Sequence, residues 1–150
     1  MEYQKILVAL DSSPMGETVF ERGIASAKQN NASLMLCYCL TSDSPFWVQP
    51  TSYHSETSED FKERYQGSLE KANQWLAEYV NKAQAQGIST ESTCKADKPE
   101  HMVLEIAKNW EADLIVVGRR GRRGLAEIFL GSVSNYIVHY APCSLLIVQD

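Results

Sequence analysis

The sequence predicts a doubly wound α/β fold, a single domain with five parallel strands and helices on both faces of the sheet. Three observations predict it. Short, continuously apolar runs such as Ile6-Leu7-Val8-Ala9-Leu10 and Leu114-Ile115-Val116-Val117 read as strands covered on both faces, as in a parallel sheet. Between such runs lie segments whose apolar residues recur at steps of three and four, the period of amphipathic helices. The two kinds alternate as β-α-β-α-β-α-β-α-β, which calls for right-handed crossovers and sets ligand sites at the carboxyl ends of the strands. A length of 150 residues suits one domain with one substantial core.

The first strand ends at Asp11. Ser12-Ser13-Pro14 then offers an N-cap hydroxyl with proline at the first helical position, and Met15, Val19, Phe20, Ile24 and Ala27 carry a helix to about Gln29, where Asn30-Asn31 stops it. Ser33 to Leu40 is a second buried strand. A polar connection with Phe46, Trp47 and Tyr53 follows, long enough to suggest a ligand-ordered lid or a partner surface. From Glu59, the series Phe61, Tyr65, Leu69, Ala72, Leu76, Tyr79 and Ala83 describes one long helix that Gly87 ends. Ile88 to Cys94 alternates as a strand with one wetter face does, at or near an edge. Asp97 to Glu100 resembles a capping box ahead of a helix with Met102, Val103, Ile106, Ala107 and Trp110 on its apolar stripe. Asp113 opens the fourth strand, Gly131-Ser132 starts a helix through His139, and Pro142 leads into a last strand, Cys143 to Val148. Nothing in the sequence follows that strand to cover an edge, and edge strands invite pairing with another chain, so a two-fold dimer through it is expected.

Composition excludes several classes. A formal net charge of −5 argues against wide nucleic-acid or anionic-membrane surfaces, which bind through many Lys and Arg contacts. No segment approaches the roughly 20 apolar residues of a membrane span, and the opening apolar run is too short for the core of a signal peptide. Cys37, Cys39, Cys94 and Cys143 lack both paired CxxC spacing and the density of a secreted disulfide scaffold, which suits a cytoplasmic protein. Cys37 and Cys39 share a strand face, open to a redox or metal role but more in keeping with small buried hydrophobes. His54, His101 and His139 are scattered, without zinc-site spacing. Trp75, Tyr79 and Trp110 fall at helical spacing, as core or partner surface does.

The most informative stretch is Gly118-Arg119-Arg120-Gly121-Arg122-Arg123-Gly124, straight after the fourth strand, with Gly131-Ser132 beyond it. Glycines there can form a backbone nest, arginines add positive charge, and Gly131, Ser132 and Val133 present amides and a hydroxyl at a helix start; together they suit an anion such as a nucleotide polyphosphate. It is neither GxxxxGK[ST] nor the dinucleotide GxGxxG, since the turn after the first strand reads Leu10-Asp11-Ser12-Ser13. Arg119 and Arg120 are the better ligand candidates, Arg122 and Arg123 the more solvent-facing. Asp11 can serve the ligand or cap the first helix.

At these residues the sequence resembles the nucleotide-binding branch of the universal stress protein family, whose signature is G-x2-G-x9-G-[ST]. The likeness also takes in the opening KILVALDSSP, the DLIVVGRRG junction and the closing APCSLLIV, and so nearly the whole chain. The resemblance implies a Rossmann-like, adenine-nucleotide alpha-hydrolase-like domain over residues 1–150, a homodimer that binds ATP in stress survival or signalling, with Mg or Mn allowed on the phosphates. By the same resemblance Asp11 faces the adenosine with Ala9 close by, the Cys39 backbone contacts the adenine, and Val117 lines the base pocket. Gly118, Arg119, Arg120, Gly121, Gly131, Ser132 and Val133 surround ribose and phosphates. The chain departs from the family in its arginines, where small polar residues are more usual, and in Ala96, where glycine is common. Hydrolysis needs a base and a positioned water, and no convincing base presents itself. A switch or sensor with slow or no turnover is therefore expected; the alternatives are a weak ATPase or phosphotransferase, a cyclic adenine-nucleotide binder, and a scaffold that binds no nucleotide.

Overall fold

The computed structural model describes residues 2–50, 55–119 and 132–149. In chain order it contains β1 (Lys5–Leu10), α1 (Met15–Asn30), β2 (Ser33–Leu40), α2 (Ser58–Gln84), β3 (Thr90–Ala96), α3 (Pro99–Trp110), β4 (Leu114–Gly118), α4 (Ser132–Tyr140) and β5 (Ser144–Val148). Neighbouring strands all run parallel, in the order β3-β2-β1-β4-β5. The expected five-stranded α/β sheet is present, with the wetter β3 at one edge and β5 at the other.

Alternation along each strand divides the core into two layers. Ile6, Val8 and Leu10 of β1, Leu34, Leu36 and Tyr38 of β2, and Leu114 and Val116 of β4 face α1 and α2, where Val19, Phe20, Ile24 and Leu76 meet them. Leu7, Cys37, Ile115 and Val117 face the other way, against Met102, Val103 and Ala107 of α3 and Ile137 of α4. At the amino ends of the strands, the Asp113 carboxylate accepts hydrogen bonds from the backbone N–H groups of Gln4 and Lys5, fixing where β1 begins beside β4.

Element boundaries show where local chemistry was misjudged. No side chain caps α1: the Ser13 hydroxyl donates to Asp11 Oδ1 instead, and Pro14 stands one residue before the helix rather than in it. Asn31 does end α1, in the left-handed conformation at φ 52°. The strongest cap is one the sequence reading passed over, the reciprocal box of Thr57 and Asp60 at the start of α2. The expected box from Asp97 to Glu100 does not form; Pro99 holds Lys98 extended, and the Asp97 carboxylate turns to the Lys98 N–H at 2.7 Å. Ile88 is buried against α1 and α2 but precedes β3, which starts at Thr90.

The connection after β2 is fastened to α2 over its described part, residues 41–50. Phe46 packs 5.2 Å from Trp75, and Val48 donates its N–H to the buried Ser68 Oγ at 2.8 Å. Arg64 of α2 donates to the Val48 carbonyl, is held by both oxygens of Glu56, and lies over the rings of Trp47 and Phe61. Tyr53 lies outside the described residues.

Candidate functional site

The carboxyl ends of β1, β2 and β4 open into a cavity of about 170 Å³. Ala9 and Leu10 enter it from β1, with Asp11 and Ser12 just beyond; Cys37, Tyr38 and Cys39 enter from β2, and Val117 and Gly118 from β4. Pro99, Met102 and Val103 of α3 form the opposite wall, Val133 and Ser134 come from the first turn of α4, and Thr41, Asp43 and Ser44 from the turn after β2. β1 and β4 are sheet neighbours but not consecutive strands, so the cavity lies where the strand order reverses, the ligand position of open α/β sheets.

Register builds the floor. Ala9 pairs with Cys37 on one side and Val117 on the other, which places three side chains of modest size at one level on the α3/α4 face. Cys39, two residues on, shares that face, and its thiol donates to the Asp97 carbonyl at 2.7 Å, tying β2 to the approach of α3. Asp11 Oδ1 accepts from both the N–H and the hydroxyl of Ser13, so the carboxylate orders the turn after β1 from within the cavity wall. It does not cap the helix directly. The buried Ser134 hydroxyl donates to the Gly118 carbonyl at 3.1 Å and fixes the start of α4 on the end of β4.

Gly118 differs from expectation. Among the described glycines only Gly87 has positive φ, so Gly118 is not a left-handed nest residue. A Cβ on it would stand 2.8 Å from Val19 Cγ2 and 2.9 Å from Met15 Cγ, which shows that its missing side chain lets α1 lie close on β4. Arg119 is absent from the cavity walls: its N–H donates to the Val148 carbonyl at 2.8 Å and its Nη1 to Gln149 Oε1 at 3.0 Å, beyond β5. Arg120, Gly121, Arg122, Arg123 and Gly131 lie outside the described residues, as does the side chain of Ser132.

Of the expected site, the structure thus brings together Ala9, Asp11, Cys39, Val117, Gly118 and Val133. Sequence reasoning missed Thr41, Asp43, Ser44, Met102, Val103 and Ser134 as walls. Ser134, two residues past Gly131-Ser132, was the most findable of them.

The charge of the described walls comes from Asp11 and Asp43, both carboxylates, which suits hydrogen-bond donors better than anions. Burial pushes the Cys37 thiol up to about 12, with Cys39 and Cys94 adding to the effect, and burial also raises Cys39. Both are neutral thiols at physiological pH, without the thiolate that nucleophilic or redox chemistry requires. Among the described residues no three metal-ligating side chains converge, so they offer no cage for a cation; they fit only one carried on a ligand's own phosphates.

The model of the universal stress protein family matches residues 2–149. The chain belongs to the universal stress protein family. This member is 41% identical to universal stress protein Sll1388 of Synechocystis over 99% of each chain, and 32% identical to universal stress protein A homolog 1 of Coxiella burnetii over 99% of this chain and 97% of that one. Among solved structures, UspA of Lactobacillus plantarum superposes at a TM-score of 0.76 with 23% identity, covering 99% of both chains. A family protein of Arabidopsis thaliana with AMP bound superposes at 0.63 with 23% identity over 97% of this universal stress protein and 91% of that chain. A universal stress protein in complex with cAMP superposes at 0.65, and one from Archaeoglobus fulgidus in complex with dAMP at 0.61, with 23% and 21% identity and at least 98% of each chain covered. At these identities the superpositions establish the fold. No helix among the described residues is long and apolar enough to cross a membrane.

Proposed function

We propose that this universal stress protein binds an adenine nucleotide, ATP in the first instance, in the cavity between β1 and β4, and acts in stress signalling as a switch or sensor with slow or no hydrolysis. The observation that carries the reading is the cavity itself, at the strand reversal and walled by Ala9, Asp11, Cys39, Val117, Gly118 and Val133. Family members of the same fold with AMP, cAMP and dAMP support it. The base lies over Ala9 and Val117 against the Cys39 backbone, and Asp11 accepts from the ribose hydroxyls. The phosphates extend past Gly118 and Val133 toward Ser132, Gly131, Gly121, Arg119 and Arg120. Mg or Mn, where bound, rides on the phosphates and neutralises their charge. Asp11, committed to Ser13, is a poor general base, which supports slow turnover. Metal-dependent release of ADP at ordinary enzyme rates would replace the switch with the ATPase reading.

Titration with ATP and Mg tests the proposal. At 100 times its dissociation constant the ligand adds about 2.7 kcal/mol of stability, which for a chain of this size raises Tm by roughly 5–10 °C. An unchanged Tm, with no nucleotide released on denaturing the purified protein, would leave a scaffold. The cAMP-bound relative favours a cyclic nucleotide as the second reading, and displacement of ATP by cAMP decides between them.

The edge strand β5 is the proposed homodimer surface. Leu146 is 37% exposed there, and Val138 and Tyr140 are exposed on α4. A lysine at an edge blocks pairing, so Leu146→Lys is expected to halve the sedimenting mass; a wild-type monomer, or a variant of unchanged mass, would remove this interface. The four cysteines, all free thiols, support a cytoplasmic setting.

A further inference from the structure

We propose that Tyr38 and Ser44 are positioning residues of the cavity, their hydroxyl pair holding residues 41–44 in place as the wall on the β2 side; this rests on the adenine-nucleotide reading above. The Tyr38 ring lies on the α1/α2 face of the sheet, 5.0 Å from Trp75 and 5.6 Å from Phe46, opposite the face that carries Cys37 and Cys39. Its hydroxyl nevertheless reaches past the end of β2 and donates to Ser44 Oγ at 2.7 Å, and both residues are buried.

Ser44 is the knot of the turn. Its Oγ also accepts from the Thr41 N–H at 2.9 Å, its N–H donates to the Thr41 carbonyl at 2.9 Å, and its carbonyl accepts from the Trp47 N–H at 3.0 Å. Thr41, Asp43 and Ser44 are all cavity walls, so the hydrogen bonds that fix the turn also fix that side of the site. Tyr38 borders the cavity at the end of β2, and its hydroxyl holds the turn through Ser44 while its ring stays on the α1/α2 face of the sheet. Residues 45–48 run on from the turn to the Ser68 and Arg64 clamp on α2, so the wall is anchored at both ends.

A wall that is in place only part of the time weakens apparent affinity by the fraction of molecules that have it. Losing one net hydrogen bond from a buried pair lowers the ratio of in-place to displaced wall about 5-fold, and the affinity falls by as much when the displaced form becomes the commoner one. Tyr38→Phe keeps the ring and its packing and removes only the hydroxyl. Ser44→Ala removes the acceptor as well, whereas Ser44→Thr keeps it.

The test is the AMP affinity of the wild type and these three variants by calorimetry, together with amide hydrogen exchange at Thr41, Ser44 and Trp47. AMP is the probe because it addresses the base and ribose side without a polyphosphate. Tyr38→Phe is expected to bind AMP about 5-fold more weakly and Ser44→Ala about 10-fold or more, with Ser44→Thr within about 2-fold of the wild type. The three amides should exchange faster in Tyr38→Phe and slow again when AMP is added by more than the amides of α2 do in the same sample, a local excess that overall stabilisation by ligand does not produce. Wild-type affinity in both Tyr38→Phe and Ser44→Ala overturns the proposal while leaving the nucleotide reading intact. A wild type that binds neither AMP nor ATP overturns both.

Discussion

Gly16→Ala is expected to lower Tm by roughly 5–10 °C, the effect of about 2–3 kcal/mol of overpacking in a chain of this size, and to weaken nucleotide binding at least about 10-fold in the same protein. Gly16 is buried in the first turn of α1, and its N–H donates to the Ser13 carbonyl at 2.9 Å. A Cβ there would overlap the carbonyl oxygen of Asp11, an atom of the backbone just beyond a central strand. Leu10 immediately before it pairs with Tyr38 of β2, so the backbone has little room to yield. The turn must shift instead, and it carries Asp11 and Ser12, both cavity walls. Stability and binding are therefore expected to fall together. Gly67→Ala supplies the contrast: its Cβ would meet only Val48 Cγ2, at an ordinary 3.7 Å, so the helical preference for alanine is expected to make it neutral or stabilising. Thermal melts of the two variants check the sign, and a Gly16→Ala protein as stable as the wild type would mean that α1 does not approach β1 this closely.

That close approach was hidden in the sequence for a physical reason. Gly16, Gly23 and Gly118 all serve it, Gly23 by standing where a Cβ would come 2.6 Å from Val8 Cγ2. A glycine that makes room for another element looks, in sequence, like a glycine that bends the chain. Gly118 was read as part of a phosphate nest because of its neighbours in sequence, while the contacts that require it come from Met15 and Val19, a hundred residues away. The sheet itself was legible because a buried parallel strand needs apolar residues on both faces, and Ile6 to Leu10, Ser33 to Leu40 and Leu114 to Val117 supply them. Caps were harder to read. Lys98 shows why, since proline and a neighbouring carboxylate compete for the same few backbone groups.

The site divides along the same line. The family resemblance names Ala9, Asp11, Cys39 and Val117, and the structure brings them together because strand ends converge at the reversal of an open sheet. Met102 and Val103 had been assigned to the apolar stripe of α3, which they occupy, but that stripe extends past the core to become a cavity wall. Thr41 and Ser44 belong to a turn whose placement depends on Tyr38, on the other face of the sheet. Arg119, a ligand candidate from its place in the glycine loop, has its Nη1 on Gln149 Oε1 beyond the last strand, a contact that spacing in the sequence does not show.

Filling the floor of the cavity should separate binding from folding. Ala9→Leu is expected to weaken AMP and ATP binding at least about 100-fold, a loss of about 2.8 kcal/mol, and so to abolish the ligand-induced rise in Tm, while the ligand-free protein melts within about 3 °C of the wild type. The asymmetry follows from where Ala9 stands. Its neighbours across the sheet are Cys37 and Val117, and its Cβ projects into the cavity rather than into the close-packed layer below, where Leu7 and Ile115 are fully buried. Added methylene groups in a packed core cost stability because nothing can move aside. In an open cavity they displace water or ligand instead. The new side chain would take up much of the space between the floor and Met102, where the base is proposed to lie. Ala9→Ser, with nearly the same volume, is the matched control and should keep the Tm response. If Ala9→Leu folds and still binds ATP as the wild type does, the base does not rest on β1, and the nucleotide must be sought at a different surface of the chain.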